Sequence, residues 1–248
     1  PYVIDPSDDI FGWSYAWMPH LGGEHIDAIN EKNKLRTDEK LKIAELIAKV
    51  MQKFHLWKVD AFGELDPKTF ELSPFAPTYI DWLFERILFW LEDAKKYSTI
   101  TSKDFQWVQA LLEESQSAFL HCRTPTFVMG DFKPGNFLVQ SGENGWQISG
   151  VFDFTNSFFA DPLSDLIKML IFYFDHETLE IAQRFVDTYF AETKITKDMK
   201  QRIKVHLVHQ RVLDWGGAKA TNRLTWDDDL SFTDWVETYI ERVENLLE

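Results

Sequence analysis

One cysteine, Cys122, in 248 residues rules out an internal disulfide, and such usage fits a reducing, cytosolic setting best. No uncharged apolar run reaches the ~18 residues that a membrane-spanning helix requires. The richest apolar stretch, Ile80 to Leu91, carries Asp81, Glu85 and Arg86 and therefore reads as a core helix. None of the residues given reads as a signal peptide, and there is no internal repeat or low-complexity tract. Basic residues are also scarce. Lys and Arg total 26 against 40 Asp and Glu, a net charge of −14, which argues against nucleic acid as a partner because phosphate backbones are bound by clustered cations. A soluble acidic surface is the plain reading of that charge, and a cationic substrate is compatible with it.

Apolar residues are plentiful. At 45 % of the chain, with 15 % aromatic, they suffice for a substantial core and exclude a disordered chain. The length allows one large domain or two modest ones. The chain opens at Pro1, not Met, directly in strand-like sequence, as expected of a fragment or of a processed or edited product.

The opening "PYVIDPSDDIFGWSYAWMP" holds two short β-prone runs around a polar turn and reads as a hairpin. The paired glycines of "HLGGEHI" suit a linker. Thr37 offers an N-cap for a helix to about Phe54, with Leu41, Ala44, Ile47, Met51 and Phe54 on one face. Residues 56–76 read as irregular, punctuated by Gly63, Pro67 and Pro74. A second helix is expected over about 78–97. A third runs from a capping box at Thr101 and Asp104 to about His121.

The texture then changes. "TFVMGD" is short and extended, and "NFLVQ" and "WQISGVFDF" read as strands joined by "SGENG". Asp161 and Pro162 make an N-cap and N1 pair for a helix to about Phe174. Further helices are expected over 177–192, 197–214 and 231–247. The expected class is therefore α+β: a hairpin, a linker, and a mostly helical body with one small β insert.

The insert carries "VMGDFKPGNFLV", residues 128–139. Asp131 and Asn136 lie on a loop leading into one strand, and Asp153 ends the partner strand. If the two strands pair, two carboxylates and an amide oxygen converge. Hard oxygen ligands of this kind suit Mg²⁺, which takes one or two protein ligands and completes its shell with water and phosphate oxygens. Asn136 and Asp153 would fill those positions. Asp131 would be left to accept a proton from, or orient, an attacking hydroxyl. Phosphoryl transfer asks mainly for positioning and charge neutralisation, so this short set nearly suffices.

In order and spacing, Met129-Gly130-Asp131 through Asn136, then Val151-Phe152-Asp153-Phe154, then Asp161-Pro162-Leu163-Ser164-Asp165-Leu166 resembles the aminoglycoside phosphotransferase and choline kinase-like family. That family shares the protein-kinase fold. Its usual signature is H-G-D-x-x-x-x-N, an apolar-D-[FW] strand end, and D-P-x-x-D-L. "WMPHLGGEHI" resembles the family's hinge and "KFHLW" its Leu-His helix end.

The resemblance implies a kinase-like C-terminal lobe over 26–248, with 1–25 as hinge and the last hairpin of an N-terminal lobe. It implies ATP and Mg²⁺ as cofactors and a small-molecule hydroxyl acceptor. Asp131 is expected as catalytic base, Asn136 and Asp153 as metal ligands, and Asp165 as a brace for the catalytic loop. Met18, Pro19 and Leu21 are expected to meet adenine through backbone groups; proline keeps its carbonyl. Two positions depart from the pattern: Met129 replaces the usual His, and Lys133 is commoner in the protein-kinase loop. Lys133 would approach the γ-phosphate as a point charge, or else be a solvated loop lysine.

Asp214, Asp227 and Asp228 lie in "DWGGAKATNRLTWDDDLSF", read as a flexible loop, where they would receive a cationic acceptor or else form a solvated acidic face. The seven histidines are scattered. His206 and His209, three apart on a helix, lack the partners a metal site needs and read as core or surface residues. No nucleophile elbow is present. A Gly-rich phosphate-covering loop and a strand lysine are likewise not found among these residues, so the chain alone is expected to bind ATP poorly and turn over slowly. The competing reading is a non-catalytic, pseudokinase-like module. A protein kinase fits less well, since an A-P-E segment is absent and Thr155 replaces the glycine of D-F-G.

Overall fold

The computed structural model describes residues 3–31, 35–66, 69–143 and 145–248; Pro1, Pro67 and Asn144, each named above, lie outside them. In chain order the elements are β1 (Val3–Asp5), β2 (Tyr15–Trp17), β3 (Glu24–His25), α1 (Ile26–Glu31), α2 (Thr37–Phe54), β4 (Gly63–Leu65), β5 (Leu72–Pro74), α3 (Tyr79–Ala94), α4 (Ser102–Phe119) and β6 (Thr126–Val128). There follow β7 (Phe137–Gly142), β8 (Gly145–Val151), β9 (Phe158–Ala160), α5 (Leu166–His176), α6 (Leu179–Tyr189), α7 (Lys197–Thr221) and α8 (Phe232–Leu246). The α+β expectation holds. No helix among the described residues is long and apolar enough to cross a membrane.

The helices form because apolar residues recur at helical spacing and bury one stripe. In α2, Ile43, Ala44, Ile47, Ala48 and Met51 are buried; in α3, Leu83, Ile87 and Leu91 are. α7 lies across α3 and α4, and α2 packs on α6, which encloses one continuous apolar core. Caps fix the starts: Thr78, Thr101, Thr196 and Ser231 each accept a backbone N–H three residues on.

Several expectations are corrected. Arg36, not Thr37, occupies the cap position of α2, where its N–H donates to the Glu39 carboxylate at 2.9 Å. Asp161 caps a 3-10 turn over Pro162–Asp165, and the α-helix begins only at Leu166. The 56–76 stretch is not irregular: β4 and β5 pair there and extend a four-stranded sheet, in the order β5-β4-β9-β6. Three-residue strands carry too little alternation to be read singly, and Gly63 is needed for the pairing, since a Cβ there would come 2.2 Å from the Ser73 carbonyl oxygen. The β insert is thus one of three sheets. Nor is the glycine linker only a linker, because β3 pairs antiparallel with β7, His25 opposite Leu138.

The longest miss is α7. It continues through Gly216 and Gly217 to Thr221, so the first eight of the nineteen residues of the supposed flexible loop are helical. Helical glycine costs about 1 kcal/mol against alanine. Here Trp215 offsets that by burying itself against Trp226, Phe232 and Trp235. Asn222, at φ 54°, ends the helix in the left-handed conformation.

Candidate active site

β6 delivers the chain to the loop, and Met129 stays in the core, fully buried. Gly130 then turns with φ +73°. A Cβ there would strike the Asn156 carbonyl oxygen at 2.1 Å, so only glycine fits. Phe132 anchors the next stretch between Phe54 and Phe137, with centroids 6.3 and 4.7 Å away. That anchor fixes Asp131 and Lys133 on either side of it. Pro134–Asn136 form a 3-10 turn, and β7 begins at Phe137.

Asp131 is 5 % exposed. Its Oδ2 lies 2.6 Å from Lys133 Nζ and its Oδ1 2.5 Å from Lys168 Nζ. Burial alone would push its pKa up. The hydrogen bonds and charges of the two lysines outweigh this and hold the carboxyl below its ordinary value. Asn136 Nδ2 donates to the Asp131 backbone oxygen at 2.8 Å and to its Oδ2 at 3.2 Å. With the amide nitrogen so committed, the side-chain oxygen of Asn136 remains to act as a ligand.

The sheet brings the backbone before Asp153 beside Asn136. β7 and β8 pair with Phe137 opposite Val151, and the Phe152 N–H donates to the Asn136 carbonyl at 2.9 Å. Asp153 follows at once, in the left-handed conformation at φ 60°, exposed, its Oδ1 accepting from Thr155 Oγ1 at 2.5 Å. The donor set fits Mg²⁺: one amide oxygen and one carboxylate on adjoining backbone, with other positions left for water and phosphate.

Asp165 sits beneath the loop, 2 % exposed, and accepts the Met129 and Gly130 N–H groups, each at 2.9 Å. His55, at the end of α2, lies 3.3 Å from the same carboxylate and 2.8 Å from the Tyr189 hydroxyl. Asp161 is a second buried anion, bound by Arg202 at 2.8 Å and His206 at 2.9 Å. His206 is therefore a core histidine.

Met18 is 57 % exposed and Leu21 half-buried. The segment they belong to lies against the same hairpin, where the Gly22 carbonyl accepts from Ser149 Oγ at 2.5 Å. Asp214, Asp227 and Asp228 are not brought to the loop. Asp214 pairs with Arg211, Asp228 with Lys219, and Asp227 accepts the Asp229 N–H at 3.1 Å. None of the three lines the cavity of about 460 Å³ beside Asp131, which is walled by Phe132, Lys168, Trp82, Arg86 and His209 among others.

Sequence reasoning missed Lys168 and Arg86. Lys168 had a signal: it stands three residues past Asp165, one helical turn on, and so returns to the face that meets the loop. Arg86 is brought in from α3 by tertiary packing and had none.

A helical body that holds a rigid Asp–Lys–Asn loop against a hairpin ending in aspartate defines the kinase-like class of phosphotransferases. The family model described as "phosphotransferase enzyme family" matches residues 1–199, and the chain belongs to that family. Solved structures share the fold. One is a thermostable mutant of aminoglycoside phosphotransferase APH(4)-Ia in ternary complex with AMP-PNP and hygromycin B, 16 % identical over 92 % of this chain and 69 % of that one, TM-score 0.56. Another is the GDP complex of wild-type aminoglycoside 2'-phosphotransferase-IIIa, 15 % identical over 95 % and 69 %, TM-score 0.52. A third is the GDP and kanamycin complex of APH(2")-IIIa, 16 % identical over 94 % and 69 %, TM-score 0.51. No curated protein matches the sequence.

Proposed function

We propose that the protein transfers the γ-phosphoryl group of ATP to a hydroxyl of a small molecule. The observation that carries this is Asp131, held between Lys133 and Lys168 and bonded to Asn136, whose carbonyl accepts the N–H of Phe152, the residue before Asp153. Asp131 takes the acceptor's proton as the hydroxyl oxygen forms its bond to the γ-phosphorus. The bond from that phosphorus to the bridging oxygen breaks, ADP leaves, and Asp131 returns the proton to solvent. Its lowered pKa keeps it ionised and ready to orient the hydroxyl. Lys133 reaches the transferred phosphoryl when it releases Asp131. Asn136 and Asp153 would hold Mg²⁺, which would neutralise phosphate charge when bound. Met18, Pro19 and Leu21 form the adenine edge, residues 1–25 the hinge side of the site, and 26–248 the catalytic lobe. ATP places the activity in the cytoplasm, which the single Cys122 suits.

The 248 residues contain no Gly-rich loop or strand lysine for the phosphates, so this polypeptide by itself turns over slowly. Ordinary small-molecule kinase turnover by it would refute that point. The experiment for the function is phosphoryl transfer from labelled ATP to a panel of hydroxyl compounds. Asp131→Asn should lower the rate about 10²- to 10⁴-fold with the fold intact. Transfer unchanged in that variant would remove Asp131 from the chemistry.

A further inference from the structure

The cavity beside Asp131 is where an acceptor hydroxyl would lie, and its walls say what else that acceptor carries. Its volume of about 460 Å³ suits a small molecule. Four charged side chains line it: Glu64, Asp165, Arg86 and Lys168. Asp165 is buried and spends both oxygens on the Met129 and Gly130 N–H groups and His55. Lys168 is paired with Asp131. Arg86 is exposed, lies 5.4 Å from the Trp82 ring, and has no carboxylate partner among the described residues. Glu64 alone is left as an acid open to ligand, against the unpaired guanidinium of Arg86.

Burial, then Arg86, His206 and Lys168, push the His209 pKa down to about 3. Burial is the larger cause; the smaller one, the charges of Arg86 and Lys168, would also oppose an ammonium ion placed beside them. Of the acids expected to receive a cation, Asp214 and Asp228 are paired elsewhere and Asp227 does not line the cavity, so Glu64 is the one lining acid left open against Arg86 and Lys168.

We propose that this cavity selects a hydroxy acid: a compound with the hydroxyl to be phosphorylated, one carboxylate for Arg86, and a flat apolar face for Trp82 and Phe158. This deepens the phosphotransferase reading and rests on it. A carboxylate is favoured over a phosphate because one negative charge meets the guanidinium in a planar, two-point contact and adds less repulsion toward the γ-phosphate. The transfer step is the one above: the acceptor's O–H proton goes to Asp131, its oxygen to phosphorus, and the products are the phosphorylated hydroxy acid and ADP.

The test is equilibrium binding, read by tryptophan fluorescence, of three probes of matched size to the full chain: 3-phenyllactate, the neutral 3-phenyl-1,2-propanediol and the cationic phenylalaninol. Phenyllactate should bind about tenfold more tightly than phenylalaninol. Arg86→Gln should abolish that preference and Arg86→Glu reverse it. Arg86 is exposed, so both variants should keep the parent's thermal unfolding midpoint. Failure of phenyllactate to bind at millimolar concentration, tighter binding of the amine, or a preference that survives both variants would overturn the proposal. A parallel magnesium-ATP titration separates the two readings. Acid preference with no magnesium-ATP binding even at millimolar nucleotide, where weak binding would still be seen, would support the cavity's selectivity while removing the kinase role.

Discussion

Asp131 owes its state to two lysines and an asparagine, and single residues around it can be tested one at a time. Gly130 has no substitute: alanine there must take a left-handed φ and displace the Asn156 carbonyl. Gly130→Ala should lose about 1–3 kcal/mol, measured by urea unfolding, and lower transfer with it. Asp165→Asn offers one carbonyl oxygen where two N–H donors and His55 now share a carboxylate. It should cost about 1–3 kcal/mol and slow transfer without weakening nucleotide binding, which titration calorimetry would check. An Asp165→Asn enzyme at full rate would deny that residue its bracing role. Asp161 links the buried core to pH. Burial raises its pKa, yet His206 and Arg202 outweigh this and hold it below 3.8. A carboxyl depressed in the folded state stabilises above its unfolded value, and that contribution is lost as pH falls through the folded one. Stability should therefore drop in acid, below about pH 4, and Asp161→Ala should flatten that slope while destabilising the protein at pH 7 through the unpaired Arg202. A slope unchanged in the variant would place the acid sensitivity elsewhere.

At the scale of elements, helices were the legible part. The stripe Ala44, Ile47, Met51 is a core face because apolar residues at helical spacing have only one inward side. The capping box at Thr101 and Asp104 is present as expected, with Asp104 N–H donating to Thr101 Oγ1 at 3.2 Å. The hairpin of β7 and β8 was legible too, and with it the nearness of Asn136 and Asp153. What stayed hidden was set by distant partners. β4 becomes a strand because β9, almost a hundred residues on, pairs with it at Phe159 opposite Gly63. α7 outruns its glycines because tryptophans from α8 and the loop before it pack on Trp215. Gly217 meets nothing within 4 Å where a Cβ would stand. Gly217→Ala should therefore stabilise the protein by about 0.5–1 kcal/mol through helix propensity. A loss of stability in thermal unfolding would mean that glycine serves a contact or a conformation not seen here.

For the whole molecule, net charge does not describe the cavity in which the proposed acceptor would lie. The chain carries −14, with acids such as Asp214 and Asp228 paired away from the site, while the cavity beside Asp131 sets Arg86 and Lys168 against Glu64 and Asp165. Total charge is a sum over the surface, whereas selectivity depends on the few groups facing one cavity. Of the site, the residues of one loop and one hairpin were readable because local sequence builds them; the α3 and α7 walls required the folded core. The central claim is that Asn136 and Asp153 hold magnesium-nucleotide over Asp131. Calorimetric titration with ATP, with and without Mg²⁺, on the parent chain and on Asp153→Ala tests it most directly. The expected result is binding that Mg²⁺ tightens in the parent and not in the variant; an equal response to Mg²⁺ in both would contradict it.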